Sequence, residues 1–215
     1  MKFFLDTAHI PHLREAAEAG LIDGVTTNPS LLAKEQGEPR EVIREIAKIV
    51  DGPISVEVIG SETEQMVREG LEWRSVAENI VVKIPMTLPG LKAIRTLSEQ
   101  DVPTNCTLIF TPMQALMAAK AGATMMSPFV GRLDDIQSPG MELIEQIVEI
   151  FSNYQVQTEV LVASIRGPLH AVQAARLGAD IATMPWPVLK DLAKHPLTDI
   201  GLERFMADWE KVRNR

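Results

Sequence analysis

Ile80-Val81-Val82-Lys83-Ile84-Pro85 places one lysine inside a run that is otherwise apolar. Bounded by Asn79 and Pro85, the run reads as a strand buried on both faces, the pattern of a parallel sheet. Burial disfavours the charged amine and lowers its pKa from about 10.4. Bringing it close to neutral pH takes about 3 units, or roughly 4 kcal/mol of differential environment. Such an amine can attack a carbonyl and form a Schiff base. The competing reading is a lysine at a strand end, snorkelling to water or paired with a carboxylate.

Outward from this strand the same grammar repeats. Short β-rich runs are predicted at 3–6, 24–29, 54–58, 104–109, 125–130, 159–164 and 181–185. Helical patterns fall between them, with starts marked by Pro11, Pro39, Pro89, Pro112, Pro139 and Pro168 and stops by Gly20, Gly122 and Gly178. Ser61 with Glu64, and Thr111 with Gln114, have capping-box spacing. Eight strand–helix units without an obvious linker predict α/β architecture: a single (β/α)8 TIM barrel domain over 1–215, with its site at the C-terminal strand ends. A doubly wound sheet lacks support, because no Gly-x-Gly-x-x-Gly or Walker loop follows a strand. Residues 188–194 supply the eighth barrel helix, and 199–212 form an extra C-terminal helix. Its stripe of Leu202, Phe205, Met206 and Trp209 either closes the barrel floor or docks on a neighbouring subunit.

Composition narrows the function. A net charge of −8 argues against nucleic acid and anionic membrane as partners. One cysteine excludes an intrachain disulfide, and the expected setting is cytoplasmic. The opening Met1-Lys2-Phe3-Phe4-Leu5-Asp6 meets an acidic residue too early for a secretory leader. Cys106 and the methionines Met113, Met117, Met125 and Met126 read as core filler. His9 and His12 lack a third ligand for zinc, while His170 and His195 read as surface or capping residues.

Strand alternation then sorts the polar residues. Asn105 pairs with Thr107, Ser127 with Phe129, and Ser164 with Arg166; Asp6, Asn28, Glu57 and Lys83 lie towards their strand ends. Each has a bland account: a cap for Asp6, a turn for Asn28, an ion pair between Glu57 and Lys83, and a surface pair of Arg132 with Asp134 or Asp135. Seven strands delivering polar groups to one rim is more than barrel packing requires, because barrel interiors are normally apolar.

Phe4-Leu5-Asp6-Thr7-Ala8, Gly24-Val25-Thr26-Thr27-Asn28-Pro29, Val82-Lys83-Ile84-Pro85 and Ser127-Pro128-Phe129-Val130-Gly131-Arg132 together resemble the short, single-barrel branch of the transaldolase family. That branch also contains the fructose-6-phosphate aldolases. The resemblance implies a cofactor-free and metal-free enzyme of the pentose phosphate pathway that moves a dihydroxyacetone unit between sugar phosphates. It implies Lys83 as the Schiff-base lysine, Asp6 as the acid/base, and Glu57 with Thr107 as holders of the catalytic water. Asn28, Asn105 and Ser127 would contact the dihydroxyacetone fragment, and Arg132, Ser164 and Arg166 its phosphate. It also implies a homo-oligomer, a pentamer or decamer, with the terminal helix reaching a neighbour. Glu57 and Phe129 replace the glutamine and tyrosine usual in the aldolases, which favours transfer over release of free dihydroxyacetone. A sugar-phosphate-binding barrel without chemistry is the alternative from another class.

Overall fold

The computed structural model describes residues 1–214. Its elements in chain order are β1 (Lys2–Asp6), α1 (Ile10–Glu18), β2 (Gly24–Thr26), α2 (Pro29–Leu32), α3 (Pro39–Ile49), β3 (Ile54–Glu57), α4 (Thr63–Arg74) and β4 (Ile80–Pro85). There follow α5 (Leu88–Ser98), β5 (Thr104–Ile109), α6 (Pro112–Ala121), β6 (Met125–Pro128), α7 (Val130–Asp135), α8 (Gly140–Tyr154), β7 (Glu159–Val162), α9 (Pro168–Leu177) and β8 (Ile181–Met184). The chain ends with α10 (Trp186–Asp191) and α11 (Pro196–Arg213). All neighbouring strands pair in parallel, and β1 pairs with β8 to close the barrel in sequence order. The expected (β/α)8 architecture is the one observed.

Period-two alternation splits the strand residues into two sets. Leu5, Val25, Ile54, Val56, Val82, Ile84, Cys106, Met126, Val160, Val162 and Ala182 pack into the continuous layer between strands and helices. Phe4, Val81, Met125, Leu161, Ala163 and Ile181 form a separate cluster inside the barrel. Gly24 makes room there: a Cβ at this position would lie 2.5 Å from the Phe4 ring. The closed barrel leaves no open sheet edge among the described strands.

Several boundaries are set by local chemistry. Thr111 and Gln114 make the expected capping box at α6, and Gly122 and Gly178 end α6 and α9 in the left-handed conformation. The Ser61/Glu64 box does not form: α4 starts at Thr63 after an uncapped Glu62. Glu69, deeper in α4, instead accepts the Ile59 and Gly60 N–H groups at 2.8 and 3.1 Å. The second strand ends at Thr26 rather than running to Pro29, since Asn28 caps α2 by accepting the Leu31 N–H at 3.0 Å. The sixth ends at Pro128 and the seventh at Val162, leaving Phe129 and Ala163 as an isolated bridge. In β5 the register slips between Cys106 and Ile109, and Leu108 takes a positive φ of 63°.

The eighth barrel helix spans Trp186–Asp191, and the surplus helix begins three residues earlier than expected, at Pro196. None of its described residues is buried, and Phe205 and Trp209 are 74% and 65% exposed. Closure of the barrel floor by its apolar stripe is therefore ruled out within this chain. Met113 and Met117 also lie exposed, correcting their assignment to the core, whereas Met125 and Met126 are buried.

Candidate active site

The inward face turns polar towards the C-terminal mouth in β1, β4, β6 and β8, while β7 stays apolar through Leu161 and Ala163. Two residues after Phe4 comes Asp6, after Val81 comes Lys83, after Met125 comes Ser127, and after Ile181 comes Thr183. Lys83 is 5% exposed. Register places Glu57 beside it, and the carboxylate lies 3.0 Å from Nζ. Nζ also donates to the Thr27 carbonyl at 3.1 Å. Burial and a carboxylate partner, read from the sequence as alternatives, occur together. The amine is buried, but a carboxylate stands within direct proton-transfer distance.

Asp6 pairs in register with Thr26, whose hydroxyl donates to its Oδ1 at 2.7 Å. That leaves the Thr183 hydroxyl to donate to Thr26 Oγ1 at 2.6 Å. Burial pushes the Asp6 carboxyl above its ordinary range; the Thr26 hydrogen bond and the Lys83 charge oppose this, and the Glu57 charge adds to it. A second buried chain runs from the Ser127 hydroxyl to Asn105 Oδ1 (2.8 Å) and from Asn105 Nδ2 to Ser55 Oγ (3.1 Å). This chain fixes the orientation of the Asn105 amide. Thr107 Oγ1 is buried and has no hydrogen-bond partner among the described residues.

Two adjoining cavities open over these groups. One, of about 210 Å³, is lined by Asp6, Asn28, Lys83, Ser127, Arg132 and Arg166 among others. The other, of about 340 Å³, is lined by Glu57, Thr107 and Leu108, and shares Asn28, Lys83, Phe129 and Arg132 with the first. A roomier groove of about 600 Å³ lies outside, along α4, among Val67, Leu71 and charged surface residues. It is away from every strand terminus and gathers none of the buried polar groups.

All eleven expected site residues line one or other cavity except Asn105, which lies beneath and holds Ser127. The bland alternative, a surface pair of Arg132 with Asp134 or Asp135, does not form. Arg132 stands over the Phe129 ring at 4.9 Å, and Asp135 pairs with Arg166 at 2.8 Å. Ser164 adopts a positive φ of 61°, unusual for a residue with a Cβ. Thr26, Ser55 and Thr183 were missed by the sequence reading, although alternation from Gly24, Glu57 and Ile181 points to each. Thr183 brings the eighth strand into the polar rim. Cys106 is a buried filler as expected: desolvation pushes its thiol up to about 12, so it stays protonated, 3.7 Å from Met86 Sδ.

A closed parallel barrel with a buried lysine, two carboxylates and two arginines at its C-terminal mouth has the layout of a (β/α)8 enzyme. Comparison with known proteins takes this further. The profile of the family described as Transaldolase/Fructose-6-phosphate aldolase matches residues 3–215. A probable transaldolase of Thermodesulfovibrio yellowstonii is 60% identical over 99% of this chain and 100% of that protein. One from Aquifex aeolicus is 57% identical over 99% and 98%, and one from Thermoplasma volcanium 56% over 99% and 96%. A mandelate oxidase mutant shares the fold alone, with a TM-score of 0.61 at 19% identity over 87% of this chain and 65% of that one. The chain belongs to the transaldolase/fructose-6-phosphate aldolase family.

Proposed function

We propose that this protein is a transaldolase that carries a dihydroxyacetone unit from a ketose phosphate to an aldose phosphate on Lys83, within the cytoplasmic pentose phosphate pathway. The observation that carries the reading is Lys83, buried on β4 with Glu57 3.0 Å from its amine and open cavity above. Passing a proton to Glu57 frees the Nζ lone pair, which adds to the C2 carbonyl. Loss of water, taken up between Glu57 and the unpartnered Thr107 hydroxyl, gives the iminium. The positive nitrogen is an electron sink, so ionised Asp6 can take the C4 hydroxyl proton while the C3–C4 bond breaks. The aldose leaves, an enamine remains on Lys83, and a second aldehyde reacts with it. Asn28 and Ser127 hold the three-carbon fragment, with Asn105 orienting Ser127, and Arg132, Ser164 and Arg166 hold the phosphate. Arginine suits this role through its forked donors.

Phe129 separates transfer from free release. It offers no hydroxyl to protonate the enamine, so the intermediate persists until an acceptor arrives. Incubation with fructose 6-phosphate alone should yield no free dihydroxyacetone, and turnover should require added erythrose 4-phosphate. Steady release without acceptor would make the protein an aldolase. Borohydride reduction with fructose 6-phosphate should add the sugar fragment to the peptide carrying Lys83. An unlabelled peptide beside a labelled positive control would reduce the barrel to a sugar-phosphate binder. The exposed stripe of α11 supports a homo-oligomer, which light scattering tests; a monomer at micromolar concentration would remove that part.

A further inference from the structure

The segment after β6 carries Arg132 on the short helix α7, and the loop after β7 carries Ser164 and Arg166. At their roots the backbones are already stapled: Val130 and Gly131 N–H groups donate to the Ala163 and Ser164 carbonyls, both at 3.1 Å. Gly131 permits this approach, since a Cβ there would meet the Ser164 carbonyl at 2.2 Å and the Arg166 Nε at 2.5 Å. Further out, one side chain bridges the two segments. His170, in the first turn of α9, accepts the Arg166 backbone N–H on Nδ1 at 3.3 Å. Its Nε2 lies 3.0 Å from Asp134 Oδ2, and Asp134 Oδ1 accepts the Gly140 N–H at 2.9 Å. With Nδ1 accepting, the ring proton belongs on Nε2, aimed at the Asp134 carboxylate. The His170 side chain is 18% exposed, and the N-cap Gly167 supplies no side-chain cap of its own.

We propose that His170 is a positioning residue for the anion site: a clamp that fixes the Arg166 loop against the segment carrying Arg132. The inference rests on the reading of Arg132, Ser164 and Arg166 as the phosphate site. His170 touches neither substrate nor Lys83 and acts only through the separation and aim of the two guanidinium groups. Its effect is therefore confined to ligands that carry a phosphate.

His170→Phe keeps the ring volume and removes both hydrogen bonds, whereas His170→Asn keeps an acceptor close to the Nδ1 position. The binding of inorganic phosphate is measured calorimetrically on wild type and both variants, alongside kcat and KM with fructose 6-phosphate and with unphosphorylated fructose, each at saturating erythrose 4-phosphate. The phenylalanine variant should raise the phosphate Kd and the fructose 6-phosphate KM about five- to tenfold, the scale of one lost hydrogen bond. Its kcat, and its kcat/KM for fructose, should stay within about twofold of wild type. The asparagine variant should recover most of the phosphate affinity. An unchanged phosphate Kd, or equal losses on both sugars, would overturn the clamp while leaving the site reading intact. Failure of wild type itself to bind phosphate would sink both together.

Discussion

The two halves of the barrel interior are built from the same strands yet behave as different materials. The lower half is plugged by Phe4, Val81, Met125, Leu161 and Ile181. Two residues further along, Asp6, Lys83, Ser127 and Thr183 replace them with hydrogen-bonded polar groups. One step of the pleat thus separates packing from chemistry. The lower half stabilises by removing apolar area from water. In the upper half, burial raises the Asp6 carboxyl and is opposed only by the Thr26 hydrogen bond and the Lys83 charge.

Substitutions can break that contrast at either level. The largest effect is expected from Lys83→Ala, which should lower turnover by roughly 10⁴-fold or more while the chain still melts cooperatively. Substantial residual turnover, or loss of the folded state, would erase the division of labour. Phe4→Ala should do the reverse. It should cost about 3–5 kcal/mol of stability, a fall of roughly 10 °C in Tm, with kcat/KM at low temperature nearly unchanged. A collapse of activity in protein that remains folded would show that the plug also shapes the mouth.

The smallest effect tests the seam between the halves. Thr26→Val removes the hydroxyl that donates to Asp6, one of the two influences holding its carboxyl down. Activity that needs ionised Asp6 is present above the raised carboxyl value and lost as pH falls through it. Removing the donor raises that value further, so the acid limb of kcat/KM should move to higher pH. The loss at the optimum should be about three- to tenfold. A limb that stays in place, or moves to lower pH, would detach Thr26 from the acid/base group.

Much of this pattern is legible in the sequence because strand alternation is a strictly local rule. It turned one lysine in an apolar run into an inward side chain on β4, and it carried the fold from eight repeats of strand and helix. It failed where the loops decide. The Ser61/Glu64 spacing is sound capping chemistry, but Glu69 reaches back from the helix body and takes the preceding N–H groups. Asn28 leaves the strand in order to cap a four-residue helix. The partners of Arg166 and His170 depend on two segments meeting in space, which nothing within either segment encodes. The Glu57 contact at Lys83 was foreseen only as one alternative, since cross-strand register is invisible in a single strand.

The irregularity in β5 matters for what can change over time. In an unbroken strand Leu108 would point into the helix layer, where any gain in bulk meets packed neighbours. The left-handed turn of its backbone sends the side chain to the cavity beside Thr107 and Phe129 instead. Size at position 108 can therefore drift without loosening the scaffold, and under the proposed reaction each variant would admit a differently shaped aldehyde above Lys83.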